Sequence, residues 1–465
     1  MTDEEFAARV LSALVREEYV RWPIEGVRME RDGFLADDRI SAGVTLARLW
    51  ELVRQSAEPG DDVETFEREC REALEAERAE LPPVRPGTDR HDALAARLGH
   101  PVHPLGRCRL GLSGEELRRY APEYQPSFKL RWTGVREPVL AGELPPWWPE
   151  PGELGLPDDM TPFPVHPLTA GRGIVRAPAS HLRVRPTLSM RTLFVTPEEH
   201  LKVPLPTSTL GKRNTRSIKP GTLVDGARVQ ALLTRIAAEE GLPVLLADEQ
   251  TYGHAHDPYL GFLVRRMPVA DAVPVAALPA RTPEGQYVIE ELAGGTDGVA
   301  EFFDGYLRVL FAWNVTLFEK YGIALEAHQQ NVAVTPRLEL LLKDNDGALL
   351  SEGDFTDPRM IGDREARARV FVTITLHLCA GALAFGLAER GLLPLGRALA
   401  LVRDRLDEAV TDPFLRARTL DADRLPTKAM LTAGTLVPKE RTGAADINKH
   451  YGPPGPNYLK ELPCR

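Results

Sequence analysis

Cysteine is scarce in this chain, with four in 465 residues, at Cys70, Cys108, Cys379 and Cys464. They are too widely separated to form the paired spacings of a zinc site or a disulfide framework, so a reducing compartment is the simpler expectation. Positive charge is also limited: 57 Lys and Arg stand against 67 Asp and Glu, for a formal net charge of -10. A general nucleic-acid binder needs a basic surface to displace counterions, and this balance argues against nucleic acid as a partner. The acidic opening Met1-Thr2-Asp3-Glu4-Glu5 is not followed by an apolar run, so export is not expected and the cytoplasm is. Only one long uncharged stretch exists, residues 370–388, at the lower length limit of a membrane span. It contains Thr373, Thr375 and His377 and has charged flanks, which predicts a buried core helix and no membrane partner.

What remains is ordinary globular composition, 43% hydrophobic and 27% charged, in a chain long enough for two or three domains. Apolar residues three and four apart predict helices over 4–20 and 62–81. Dense proline and glycine at 81–87 and 145–152 mark connections, with a domain boundary expected near residue 150. From 174 to 266 the pattern is strand-like, at 188–195, 201–205, 244–247 and 260–265, with a helix around 226–240. A long amphipathic helix over 298–321 leads into an extended stretch at 323–328, then a hairpin of 332–335 with 338–343. Helices are predicted over 364–411, and the tail after Asp412 is expected to wrap the surface. The fold class is α+β: a mainly helical part over 1–150, a mixed-sheet part over 151–295 and a helical part over 296–465.

Three constellations could carry chemistry. In Gly99-His100-Pro101-Val102-His103-Pro104-Leu105-Gly106-Arg107-Cys108-Arg109, each proline restrains the histidine before it to extended geometry. Two imidazoles and two guanidinium groups in a stiff loop suit an anionic ligand; the alternative is a proline-rich turn with incidental histidines. The second constellation holds His166 in Phe163-Pro164-Val165-His166-Pro167, then Ser189-Met190-Arg191-Thr192 and Lys202. In a strand, Ser189 and Arg191 share one face, and Lys202 on the next strand adds a cation; the alternative is a solvated edge strand. Lys212, Arg213 and Arg216 follow in a loop.

The third constellation is Leu325-Glu326-Ala327-His328-Gln329-Gln330-Asn331, followed by Lys343-Asp344-Asn345-Asp346-Gly347. Glu326, His328 and Gln330 alternate along an extended stretch, with Asn331 at its end, while Asp344 and Asp346 share a face. Amide and carboxylate oxygens are the hard donors that hold a hydrated Mg²⁺ against phosphates, and the upstream cations suit a polyphosphate. The two clusters together read as an ATP and Mg²⁺ site, against the alternative of a polar hairpin.

Four motifs, His100 to Pro104, Pro164 to Pro167, Ser189 to Thr192 and Glu326 to Asn331, occur in an order that resembles the siderophore synthetases working without a nonribosomal peptide template, the aerobactin-synthetase (IucA/IucC) family. Departures are Arg107 and Lys343, which exchange one basic residue for another, and Leu168 in place of a common tryptophan. The resemblance implies an ATP-dependent ligase that adenylates a small polycarboxylic acid, citrate or a derivative, and condenses it with an amine or hydroxyl. It implies a homodimer with a C-terminal palm loosely similar to protein kinases. It implies that Ser189, Arg191, Thr192, Lys202 and Arg216, rather than Arg213, bind the nucleotide phosphates, and that Asn331 and Asp344 hold Mg²⁺. His328, Arg191, Lys202 and His166 are the implied catalytic set, with Glu326 and Gln330 supporting the nucleotide. A small-molecule phosphotransferase and a silent metabolite-binding homologue are the competing readings.

Overall fold

The computed structural model describes residues 1–443 and 450–460; Cys464 lies outside them. The chain opens with the helix Asp3–Arg16, started by a capping box in which Thr2 and Glu5 satisfy each other's backbone amides. Its apolar face, with Phe6, Val10, Leu11 and Leu14, packs against Leu49, Val53 and Phe66 from the helices Leu46–Ser56 and Val63–Arg78. Leu431, Leu436 and Val437 from the far end of the chain complete this core.

An eight-stranded antiparallel sheet forms the middle of the molecule. Its order across the sheet is Val139–Ala141, Asp248–Asp257, Leu260–Arg266, Glu199–Lys202, Thr192–Phe194, Ala179–Pro186, Phe128–Val135 and Thr161–Val165. Strands on both sides of residue 150 share it, so the break expected there is a loop within one sheet. Trp132, Trp148, Phe163 and Phe262 fill one face, with Trp148 and Phe262 rings 4.5 Å apart.

A smaller sheet orders Val273–Pro274, Val332–Val334, Leu340–Leu342 and Val244–Leu246, the last pairing in parallel. The strand Val244–Leu246 therefore crosses the boundary expected at 295. Against this sheet lies the helix Val299–Tyr321, which buries Phe303, Tyr306, Leu310, Trp313 and Leu317 in the largest core. Residues 364–389 form one continuous helical rod whose middle, Phe371–Gly381, is π-helical and wholly buried. Among the described residues this is the one helix apolar and long enough to cross a membrane, and 89% of its apolar window is buried in the core.

Three local expectations change. Only Thr192–Phe194 of the stretch 188–195 is a strand. Ser189 and Met190 form a turn, Met190 with φ of 62°, because the Ser189 hydroxyl accepts from the Thr192 amide at 3.1 Å and draws the chain back. The extended run through His328 ends at Ala324, since the His328 carbonyl accepts from the Asn331 and Val332 amides and closes a turn. The described part of the tail does not lie wholly on the surface. Its strand Arg424–Lys428 pairs with Tyr451–Pro456, and Leu425 and Tyr458 are buried in the largest core.

Candidate active site

A cavity of about 550 Å³ opens between the two sheets and the helical layer. Ser189, Arg191, Lys202, Arg213 and Arg216 line it from the eight-stranded side, and Glu326, His328, Gln330, Asn331, Asp344 and Asp346 from the small-sheet side. His100, His103 and Arg109 of the first motif form a third wall. Residues 137 or more positions apart, such as Arg191 and His328, are thus gathered at one place.

The His-Pro motifs have a local physical logic. Proline has no amide proton, so the first available amide after each histidine is two residues on, and it donates back to the imidazole. Val102 donates to His100 Nδ1 at 3.2 Å, Leu105 to His103 Nδ1 at 3.1 Å and Leu168 to His166 Nδ1 at 3.1 Å. The same geometry without proline occurs at His328, whose Nδ1 accepts from the Gln330 amide at 3.3 Å. In each neutral ring the acceptor nitrogen is Nδ1, which leaves the proton on Nε2. Burial, and then Lys428, push His328 down to about 4, so it stays neutral near pH 7 and presents a hydrogen-bond donor.

Charge is concentrated here. Arg216 is pushed down to about 9, first by burial and then by repulsion from the neighbouring Arg191, with Asp344 and Asp346 opposing the fall. The Arg216 Nε is buried with no hydrogen-bond partner. Arg213, by contrast, commits its guanidinium to the Ala433 carbonyl at 2.8 Å. Arg191 spends one nitrogen on the Ser217 carbonyl at 2.7 Å.

Lys202 is buried and binds Asp344, with Asp346 3.7 Å away. Burial alone would raise the Asp344 carboxyl, but Lys202, Arg265 and Arg191 outweigh it and hold the group well below the usual carboxylate range. Asp346 moves the other way: burial, reinforced by Asp344, outweighs Lys202. Side-chain oxygens of Asn331 and Asp344 are suitable donors for Mg²⁺, which keeps several waters and shares phosphate oxygens. Among the described residues, no group of three His, Cys, Asp or Glu forms a metal cage, so these two alone would leave most of the ion's coordination to phosphate and water.

Two expected residues stand elsewhere. His166 is fully buried between Tyr120 and Phe128, each ring centroid 5.1 Å from the imidazole, and caps the short helix Pro167–Gly171. Without any charged neighbour, burial alone pushes it down to about 3. Thr192 is buried opposite Lys202 in the strand pair and is not among the residues lining the cavity, its amide tied to Ser189. Conversely, Arg359 and Lys428 line the cavity although neither belongs to a motif. No sequence signal identifies them: Lys428 ends the strand Arg424–Lys428 and Arg359 sits in the short helical turn Pro358–Met360.

The family model described as "IucA / IucC family" matches residues 92–280, a span holding both His-Pro motifs, the turn at Ser189, Lys202 and Arg216. Over this span the chain is similar to the IucA/IucC family.

A second model, described as "Ferric iron reductase FhuF-like transporter", matches residues 300–442. That span contains a single cysteine, Cys379, buried and hydrogen-bonded to the Ala327 carbonyl at 3.2 Å. Staphyloferrin A synthase of Staphylococcus aureus is 26% identical over 282 residues, 51% of this chain and 48% of the relative. The L-2,3-diaminopropanoate--citrate ligase of the same organism is 24% identical over 319 residues, 57% of this chain and 54% of the relative. The chain therefore spans about half the length of the curated relatives it matches. Among solved structures, petrobactin biosynthesis protein AsbB from Bacillus anthracis superposes with a TM-score of 0.77 at 15% identity, covering 99% of this chain and 95% of that one. ATP-bound aerobactin synthetase IucA from Klebsiella pneumoniae gives 0.69 at 18% identity, covering 98% and 100%. At these identities the likeness is one of fold.

Proposed function

We propose that this protein is an ATP-dependent ligase that adenylates a carboxylate of a small polycarboxylic acid, such as citrate or a derivative, and condenses it with an amine or hydroxyl. It acts in siderophore or related natural-product biosynthesis, in the cytoplasm and as a homodimer. The observation that carries the reading is the pair Arg191 and Arg216, two mutually repelling guanidinium groups in one cavity beside Lys202, an arrangement that a polyphosphate would neutralise. The names of the ATP-bound IucA neighbour and the citrate ligase relative support it.

In the first step a carboxylate oxygen of the acid attacks the α-phosphorus of ATP. The bond from that phosphorus to the bridging oxygen breaks, and its electron pair departs with pyrophosphate. Arg191, Arg216 and Lys202 are fixed before the reaction and stabilise charge gathering on phosphate oxygens without reorganising. The neutral His328 donates its Nε2 proton in a hydrogen bond to a phosphate oxygen, with Glu326 and Gln330 beside it. Asn331 and Asp344 would hold Mg²⁺, whose charge supplies Lewis acidity at the phosphates. In the second step the nucleophile's lone pair attacks the acyl carbon, the carbon–oxygen bond to AMP breaks, and the nucleophile loses one proton to solvent.

The test is pyrophosphate release with ATP and Mg²⁺ against a panel of citrate, succinate derivatives and 2-oxoglutarate, with hydroxylamine as surrogate nucleophile. A hydroxamate formed with AMP and pyrophosphate is expected for one acid. ADP with a phosphorylated acceptor would replace the ligase by a phosphotransferase.

A further inference from the structure

Behind the cavity lies an ion pair whose two members belong to no motif and are not among the residues lining the cavity. Arg265, in the strand Leu260–Arg266, donates from Nε to Glu249 Oε1 at 2.5 Å. Their side chains are only 3% and 2% exposed. Glu249 sits in the neighbouring strand, within the irregular stretch between Asp248 and Thr251 where the ladder register shifts.

The same Glu249 Oε1 accepts the backbone amide of Asp344 at 2.9 Å. The second arm of Arg265, Nη2, has no hydrogen-bond partner and lies 3.6 Å from Asp344 Oδ1. Asp344 itself adopts a φ of 63°, a left-handed conformation uncommon among residues with a Cβ and one that Asp enters more readily than most. Its carboxylate then meets Lys202, which pairs through Leu263 with the strand of Arg265. A buried line of alternating charge, Glu249, Arg265, Asp344 and Lys202, therefore joins the eight-stranded sheet to the loop after Leu340–Leu342.

We propose that Glu249 and Arg265 are positioning residues: Glu249 clamps the Asp344 amide, Arg265 braces its carboxylate, and together they hold Asp344 and Lys202 in the geometry that receives nucleotide phosphate. A buried ion pair is by itself a poor source of stability, because desolvation offsets the attraction. A shared acceptor that also fixes a left-handed residue at a cavity wall gives this pair a different use. The proposal rests on reading the cavity as a nucleotide site.

The deciding experiment is a double-mutant cycle on the full chain, with ATP affinity measured by calorimetry. Glu249→Ala and Asp344→Ala are each expected to weaken ATP binding by at least about tenfold, and the double variant by no more than about threefold beyond Asp344→Ala alone. Losses that multiply would mean that Glu249 does not act through Asp344, and would overturn the proposal. Should Glu249→Ala fail to fold, the neutral pair Glu249→Gln with Arg265→Gln takes its place in the cycle with the same criterion. A second readout needs no nucleotide: amide hydrogen exchange over residues 343–347 is expected to quicken in the Glu249 variant while the strands keep their protection. Unchanged exchange there would also overturn the proposal, whereas a wild-type chain that binds no ATP would overturn only the nucleotide reading.

Discussion

The Gln329 side chain donates from Nε2 to the Leu378 carbonyl at 2.6 Å, tying the turn that carries His328 and Asn331 to the buried π-helical segment behind it. Two more bonds reinforce the attachment, from the Cys379 thiol to the Ala327 carbonyl at 3.2 Å and from the Ala276 amide to the Gln329 carbonyl at 3.1 Å. π-Helical geometry is rare and concentrates at functional sites. Gln329→Leu removes one such anchor. It is expected to cost about 1 kcal/mol in urea unfolding, the usual net value of a hydrogen bond, and to lower kcat for pyrophosphate release by about tenfold. Wild-type turnover in this variant would show that the turn holds its place without that bond.

Arg216→Ala should separate function from stability. The guanidinium is crowded by Arg191 and burial, so removing it relieves repulsion, and the melting temperature is expected to hold or rise. ATP affinity should nevertheless fall by about tenfold or more, as for the loss of a hydrogen bond to a charged group. Arg191→Ala and His328→Ala are expected to abolish adenylation in a folded protein. Calorimetry with ATP beside a thermal melt reads both effects, and a stable variant with intact pyrophosphate release would remove that residue from the site.

Asp344→Asn keeps the shape of the side chain but loses its charge toward Lys202 and toward a bound cation. The Mg²⁺ concentration for half-maximal pyrophosphate release is expected to rise by about tenfold. An unchanged Mg²⁺ titration would take Asp344 out of the metal shell.

A pH effect is expected far from the chemistry. Burial pushes Glu69 up to about 7 from an ordinary 4.5, against the opposing hydrogen bond from the Thr435 hydroxyl at 2.7 Å, with Glu72 and Asp62 adding to the rise and Arg68 resisting it. Between these values the folded chain binds a proton that the unfolded chain has released, so stability declines as pH rises from 4.5 to about 7 and stays low above it. Glu69→Gln removes the titration, and its advantage over wild type should grow on the order of 2 kcal/mol between pH 5 and pH 8. Denaturant unfolding at the two pH values checks this, and a constant difference would show that Glu69 does not titrate in that window.

Much of the architecture was readable because periodicity reports which face of an element meets the core. The helices Asp3–Arg16, Val63–Arg78 and Val299–Tyr321 lie within a few residues of their expected spans, as do the strands Val244–Leu246 and Leu260–Arg266. The turn at Ser189 was not readable, since a hydroxyl accepting an amide three residues away competes with strand pairing and leaves no mark in an apolar pattern. The break expected near residue 150 reflected proline-rich sequence, which marks a loop equally well inside a sheet and between domains.

The sequence by itself determined the chemical inventory: cations at Arg191, Lys202 and Arg216, donors and oxygens from Glu326 to Asn331, and carboxylates at Asp344 and Asp346. Residue type fixes what a side chain can donate, accept or neutralise, and the short motifs fix local geometry such as the His-Pro amide bonds. Tertiary structure alone decided which of these groups share a cavity. It set His166 among aromatic rings, buried Thr192 outside the cavity lining and brought Lys428 from the tail to the wall. It also placed Glu249 and Arg265, remote from every motif, against the amide and carboxylate of Asp344. Those outcomes depend on how two sheets and a helical layer pack, and packing is set by the summed burial of residues distant in sequence, which no local pattern records.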